Sequence, residues 1–166
     1  MLNRWIRAAA GMVCAGLLLS CGGGGTPPEP VNYQFLFNEF QSRVFAENTY
    51  VLRTQSDLDA LWNSGTEWTG LFSPPQPAAK PVVDFSQNTV VGISLGVGLR
   101  CYMPEIVSVT RSGETLTVAW RTNRDRQITT MACIFDSSLQ TFLAVPAWPG
   151  PVVFDHRRET PESTIP

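Results

Sequence analysis

The sequence predicts a mainly β protein, built as an antiparallel β-sandwich or a partly open barrel with one short helix. Three observations predict this class. Segments rich in β-branched and aromatic residues recur about every ten residues along the second half of the chain. Turn-forming residues, as in Ser112-Gly113-Glu114, separate these segments. One short stretch, residues 56–65, has the apolar spacing of an amphipathic helix.

The beginning of the folded region predicts two strands. Tyr33, Phe35 and Phe37 alternate with mostly polar residues, and this period of two is typical of a strand with one aromatic face. A second strand, residues 49–53, follows a short turn. The two strands could pair as an N-terminal hairpin.

The helix has both a start signal and a stop signal. Ser56 is the expected N-cap, because its hydroxyl can accept a hydrogen bond from a main-chain N–H of the first turn. Leu58, Leu61 and Trp62 recur at spacings of three and four and form the apolar face. Gly65 ends the helix.

A proline-rich loop without regular structure, residues 64–81, is expected after the helix, and a series of strands follows it. Gly96 and Gly98 indicate a bend or bulge in the longest strand. Residues 136–138 and 147–150 are expected to be turns. The predicted strands are residues 81–85, 89–97, 105–111, 116–122, 127–135, 139–146 and 152–156.

Residues 1–20 predict a signal peptide. Arg4 and Arg7 precede a short apolar run with no acidic residue, the usual pattern of a secretory signal. The run is too short to span a bilayer as a helix of the mature protein. The signal ends Leu18-Leu19-Ser20-Cys21, which resembles the lipobox of bacterial lipoproteins, where the cysteine is acylated and the chain is cut just before it. The alternative is an ordinary signal peptide followed by a chance cysteine.

We therefore expect a lipid anchor on Cys21 that attaches the protein to a membrane of the cell envelope, because two or more acyl chains anchor stably. Residues 21–31 predict a tether that is flexible at its glycines and stiffer at its prolines. Gly22 stands where an aspartate would favour the inner membrane, so the outer membrane is expected in a Gram-negative cell. Residues 32–156 form one predicted β domain, and residues 157–166 a polar, disordered tail.

The size and charge of the mature chain exclude some classes of function. Roughly 125 residues remain for folding, enough for one domain with its own core. Loss of the two signal arginines leaves a net charge of about −4, which does not suit nucleic-acid binding because that needs concentrated positive charge.

The two cysteines that remain, Cys101 and Cys133, predict a disulfide, since the compartment outside the inner membrane is oxidising. Closing a loop of about 30 residues would contribute roughly 3 to 4 kcal/mol on the loop-entropy model. The alternative is two buried free thiols.

The residues with catalytic chemistry are few, so no catalytic residue, metal site or cofactor is expected. His156 is the one histidine and lies beside the polar tail, where it is most simply an exposed side chain. A zinc site usually needs several His or Cys ligands. Asp84 lies between two apolar runs and is either a catalytic acid or a structural residue that accepts main-chain hydrogen bonds in an Asx turn.

Two parts of the sequence contain candidate surface residues for binding a partner. Arg121, Arg124 and Arg126 fall in one predicted loop and could bind carboxylates, although a solvated hairpin tip is the simpler interpretation. Trp148, between two prolines, is the tryptophan that best fits an exposed aromatic, while Trp62 and Trp120 fit the core.

Residues 55–150 resemble the PrcB-like domain family, named after a lipoprotein subunit of a bacterial surface protease complex. The resemblance rests on a helix ending near Trp62 and, after a proline-rich gap, on Asp84 and Phe85 with Asn88 three residues later. It continues with Tyr102 and with a closing strand that ends in proline. The sequence departs from the family at Leu99-Arg100-Cys101, where a glycine pair is usual, so the tight turn of the family is not expected there.

The resemblance implies an envelope module without catalytic residues that assists a secreted protease. Together with the lipobox, it leads us to expect a tethered, non-enzymatic protein-interaction module. The alternatives are a protease inhibitor that presents the loops 64–81, 121–128 or 146–151, and a binder of small ligands or glycans that uses Trp68 or Trp148.

Overall fold

The computed structural model describes residues 27–37, 43–70, 79–99, 102–122 and 136–158. They form one helix and ten strands: β1 (Glu29–Pro30), β2 (Gln34–Phe37), β3 (Arg43–Val44), β4 (Asn48–Leu52), α1 (Gln55–Ser64), β5 (Thr66–Glu67), β6 (Asn88–Leu99), β7 (Pro104–Ser112), β8 (Thr115–Thr122), β9 (Asp136–Pro146) and β10 (Val152–His156).

Two four-stranded sheets make up most of the molecule. The first has the order β1-β7-β8-β10 and the second has the order β2-β9-β6-β4. They pack face to face as a sandwich-like arrangement without a closed barrel. The predicted class, mainly β with one short helix, is therefore confirmed.

The core between the sheets is aliphatic with one tryptophan. Its buried members are Val91, Ile93, Leu143 and Val145 from the second sheet, and Val109, Leu116, Val118 and Trp120 from the first. These side chains lie at alternate positions of their strands, as expected for residues that share one face of a sheet.

A second core covers the outer face of the second sheet. Leu58, Leu61 and Trp62 of α1 pack there with Phe45 and Phe142, so the second sheet is buried on both faces. This explains why residues 89–94 of β6 are all buried instead of alternating, as is typical of a strand covered on two sides.

Two positions of β6 require glycine for different structural reasons. At Gly92 a Cβ atom would lie 2.2 Å from the Phe142 ring, so only glycine leaves room for that ring. At Gly96 the main chain has φ 76°. The register to β9 shifts between Ser94 and Val97, which is the bulge that the glycines predict.

The helix begins two residues earlier than predicted, because Thr54 and not Ser56 is the N-cap. The Thr54 hydroxyl accepts the N–H of Asp57 at 3.1 Å, and the Asp57 carboxylate accepts the N–H of Thr54 at 3.0 Å. This reciprocal capping box satisfies two main-chain donors, where a cap at Ser56 would leave the Asp57 side chain unused. Gly65 ends the helix, as predicted.

The predicted N-terminal hairpin is wrong. β2 pairs with β9 and β4 pairs with β6, so the two strands lie at opposite edges of the same sheet. The aromatic alternation of β2 also breaks, because the register shifts between Phe35 and Phe37. As a result Phe37 is buried, whereas the Phe35 side chain is 57% exposed.

Further differences concern element boundaries. The predicted strand at residues 81–85 is absent, since these residues form no strand, and residues 136–138, predicted as a turn, belong to β9. β1 pairs with β7 inside the segment predicted as tether, at a sheet edge where Pro30 needs no ladder N–H. The pairing is not wholly antiparallel, since β10 runs parallel to β8. The predicted strand 127–135 lies outside the described residues.

Candidate functional site: a cleft between two edge strands

The edge strands β4 and β10 lie on the same side of the sandwich, one in each sheet. At one end they are joined by Arg53, which follows β4. Its guanidinium donates to the carbonyl oxygen of Trp148 at 3.1 Å and to that of Gly150 at 2.7 Å, both just before β10. This contact closes one end of the space between the two edges.

At the other end the space opens as a cleft of about 620 Å³. This volume falls in the range of about 300–1,000 Å³ that is usual for ligand sites. The start of β4, the middle of β6 and the ends of β8 and β10 line the cleft. The residues are Glu47, Asn48, Thr49, Ile93, Ser94, Leu95, Trp120, Thr122, His156 and Arg158.

One wall of the cleft is a stacked pair of rings. The indole of Trp120 and the imidazole of His156 lie 4.1 Å apart between centroids, with an angle of 8° between their planes. Trp120 is only 8% exposed, because it belongs to the core between the sheets, whereas His156 is exposed. The core therefore holds the Trp120 ring in place, and the imidazole of His156 stacked on it is the ring exposed in the cleft.

The two sides of the cleft carry opposite charges. Glu47 lies on the β4 side and Arg158 on the β10 side. Neither forms an ion pair with any residue that the structure describes. An acidic or a basic group of a bound molecule can thus find a counter-charge here.

The hydrogen bonds at the two ends of β10 show which of its main-chain groups point toward the neighbouring strand β8. Leu116 donates its N–H to the carbonyl of Pro151 at 3.0 Å, and Arg157 donates its N–H to the carbonyl of Trp120 at 2.7 Å. A strand bonds each neighbour through alternate residues. The main-chain N–H and C=O groups of the odd-numbered residues of β10 therefore point toward β8, and those of the even-numbered residues point toward the cleft side.

Chemically, the site is suited to binding. It offers main-chain donors and acceptors along a strand edge, one cation, one anion and a stacked aromatic wall. Within the described ranges no group of three or more His, Cys, Asp or Glu side chains could hold a metal ion. In the same part of the chain, no helix is long and apolar enough to cross a membrane.

Asp84 lies away from this cleft, in the turn that leads into β6. Its Oδ1 accepts the N–H of Ser86 at 2.9 Å and the hydroxyl of Ser86 at 2.6 Å. The amide of Asn88 donates to the Asp84 carbonyl at 3.0 Å, and so does the N–H of Gln87 at 3.1 Å. The hydroxyl and the N–H of Ser86 lower the pKa of the Asp84 carboxyl. This is an Asx turn that holds the entry to β6.

The other residues that carry the family resemblance lie in structural positions. Trp62 is buried in the core beside α1, and Phe85 packs against the same core. Tyr102 lies half-buried just before β7. The structure therefore brings Trp62 and Phe85 into one core and leaves them outside the cleft.

Of the residues predicted to bind a partner, the structure describes Arg121 and Trp148, and these two lie in different places. Arg121 lies in β8, opposite Glu105 of β7, and its Nε is 3.1 Å from that carboxylate. Trp148 is half-buried against the core between the sheets, and its indole N–H donates to the Pro151 carbonyl at 3.1 Å. A groove of about 330 Å³ runs beside Trp148, next to Glu114.

Several predicted sites lie outside the described residues. They are the lipidation site Cys21, the disulfide partners Cys101 and Cys133, and the loop arginines Arg124 and Arg126.

The sequence did not indicate the cleft residues as a set. Glu47 and Arg158 are separated by most of the domain, and the sequence predicts only a core position for Trp120. The one local signal is the sequence His156-Arg157-Arg158, in which two arginines follow the last residue of β10 and so place charge at a sheet edge.

No family model, curated protein or solved structure matches this chain. The resemblance to the PrcB-like family therefore stays a prediction from the sequence.

Proposed function

We propose that this protein is an envelope lipoprotein, tethered to the membrane through Cys21, whose β domain acts as a non-enzymatic protein-interaction module. The observation that carries the proposal is the sequence of residues 1–31: a basic start, a short apolar run, an ending that resembles a lipobox, and a segment rich in glycine and proline. In this proposal the PrcB-like resemblance names the kind of partner, a secreted or surface protease or another envelope protein.

The cleft supports the proposal because its groups are those of a docking surface. It combines a strand edge, a firmly packed aromatic wall and charges on opposite sides that form no ion pair with the described residues. Strand edges and charged rims are common elements of protein recognition. The proposed disulfide between Cys101 and Cys133 would make the domain more durable in an oxidising envelope.

The experiment is photo-crosslinking in intact cells. A photoreactive amino acid replaces Thr49 in the cleft, or, as the matched control, Asn32 at the opposite side of the sandwich, where β1 leads to β2. Both side chains are exposed, so both substitutions should leave folding unchanged.

We expect one defined crosslinked partner from position 49 and none of that size from position 32. Identical bands of abundant envelope proteins from both positions would contradict the proposal. A chain that stays unacylated after expression in its host would contradict the tether.

A further inference from the structure

The outward edge of β10 offers a template for strand pairing. The even-numbered residues of β10 face the cleft side, and among the described residues the main-chain groups of Val152 and Phe154 have no hydrogen-bond partner. Unpaired N–H and C=O groups that alternate along an edge match the main chain of another extended segment.

The edge is held rigid from inside. The side chains of Val152 and Phe154 pack against the core between the sheets, so the strand cannot turn away from the cleft. At the preceding even-numbered position, the carbonyl of Gly150 is already bonded by Arg53. This bond shows that the same edge accepts donors from the β4 side.

The charged residues at the end of β10 indicate which kind of peptide segment could bind along this edge. Arg157 is paired with Asp155 at 2.8 Å on the other face of β10, but Arg158 has no such partner within the described part of the chain. A guanidinium binds a carboxylate through two parallel hydrogen bonds. A segment with a carboxylate at the end of β10 would therefore meet a guanidinium that no described carboxylate binds.

We propose that β10 receives an extended peptide segment of a partner protein as an added strand, and that Arg158 binds a carboxylate of that segment at the mouth of the cleft. This inference rests on the proposed function and names the chemistry of its partner. The segment is short, since β10 has five residues and a strand rises about 3.3 Å per residue. The cleft of about 620 Å³, which His156 and Arg158 line at the end of β10, would receive the end of the segment that carries the carboxylate.

The test selects peptides on the purified full-length protein from a display library of random linear nonapeptides. The selection is repeated on three variants. Val152→Pro removes an N–H that faces outward and leaves the ladder to β8 intact, because that ladder uses the odd-numbered residues. Arg158→Glu reverses the charge at the cleft, and Arg157→Glu makes the same change on the opposite face as a control.

We expect the wild-type protein to enrich peptides with alternating β-branched residues and one Asp or Glu. These peptides should bind Val152→Pro at least about tenfold more weakly, and Arg158→Glu about threefold to tenfold more weakly, whereas Arg157→Glu should bind them like the wild type. Selection on Arg158→Glu should replace Asp and Glu by Lys and Arg. Circular dichroism of each variant checks that the fold is retained.

Three results would overturn the inference. One is no enrichment above the background on bare support. Another is equal binding of the selected peptides to wild type and Val152→Pro. The third is a concentration-dependent dimer that Val152→Pro turns into a monomer, which would make a second copy of this chain the occupant. If the cell crosslinking recovers a partner while the peptides fail, the interaction module stands and the β10 edge is wrong.

Discussion

Asp84 shows how a single acid between apolar runs can serve the main chain alone. All of its bonds lie within five residues, from Asp84 to Asn88, and its carboxylate is exposed and bonded to Ser86. Such local bonding is encoded in adjacent residues, so the sequence could predict it. A catalytic acid would instead need a second functional group brought in from elsewhere in the fold.

Two replacements of Asp84 distinguish the role of its hydrogen bonds in the turn from the role of its negative charge. Asp84→Asn keeps an oxygen that can accept the N–H and hydroxyl of Ser86, whereas Asp84→Ala leaves both donors to solvent. We expect the asparagine variant to unfold in urea close to the wild-type midpoint and the alanine variant clearly earlier. Equal midpoints for all three proteins would return Asp84 to the list of functional candidates.

At the scale of elements, the sequence predicts what each segment becomes better than it predicts the partner of each segment. The helix, the β7–β8 hairpin with Gly113 at φ 55°, and the bulge at Gly96 all follow from local patterns. The pairing of β2 with β9 and of β4 with β6 does not, because it depends on contacts across most of the chain. The cleft was missed for the same reason, since its walls come from four strands.

The N-terminus of α1 is the element whose local chemistry can be tested most directly. Thr54→Ala removes the hydroxyl that accepts the N–H of Asp57. We expect a loss of about 1 kcal/mol in the free energy of unfolding, the usual cost of losing an N-cap side chain. Ser56→Ala is the matched control, because Ser56 is the residue that the sequence favoured as cap, and it should cost at most a few tenths of a kcal/mol. A larger loss at Ser56 than at Thr54 would contradict the cap assignment.

The same element predicts a dependence on pH. The N–H of Arg53, above all, holds the pKa of the Asp57 carboxyl below its ordinary value, and the hydroxyl and N–H of Thr54 add to this. A depressed pKa in the folded state gives stability that is present above about pH 4 and is lost as the pH falls through the folded value. Asp57→Asn should therefore flatten the loss of stability as the pH falls below about pH 4, measured by urea unfolding at each pH. An unchanged slope would contradict this assignment.

At the scale of the whole molecule, the second sheet is the central layer, because one face packs against the first sheet and the other against α1. Phe142 of β9 joins the parts of the outer core. Its ring stacks on Phe37 at 4.3 Å and on Tyr50 at 5.7 Å, and meets Phe45 edge-on at 5.5 Å. These aromatic residues are visible in the sequence, but the reason for their spacing is not. The structure gives that reason: a ring from β9 lies over a glycine of the neighbouring strand β6.

This arrangement makes Gly92 the position where the layers are most sensitive to added volume. Gly92 pairs with Phe142 in register, and a Cβ atom there would lie 2.2 Å from the ring. We expect Gly92→Ala to lower the free energy of unfolding by about 1 to 3 kcal/mol, the usual cost of overpacking. Gly98→Ala is the control on the same strand, because its Cβ would meet only the flexible end of Leu139, which can move aside.

A double-mutant cycle then shows whether the loss comes from the ring itself. Phe142→Leu alone should destabilise through the smaller side chain, but it also makes room above Gly92. The double variant Gly92→Ala, Phe142→Leu should therefore be more stable than the sum of the single losses by about 1 kcal/mol, measured by urea unfolding. Additive losses, or a Gly98→Ala variant as unstable as Gly92→Ala, would mean that strand geometry and not the Phe142 ring excludes a side chain at Gly92.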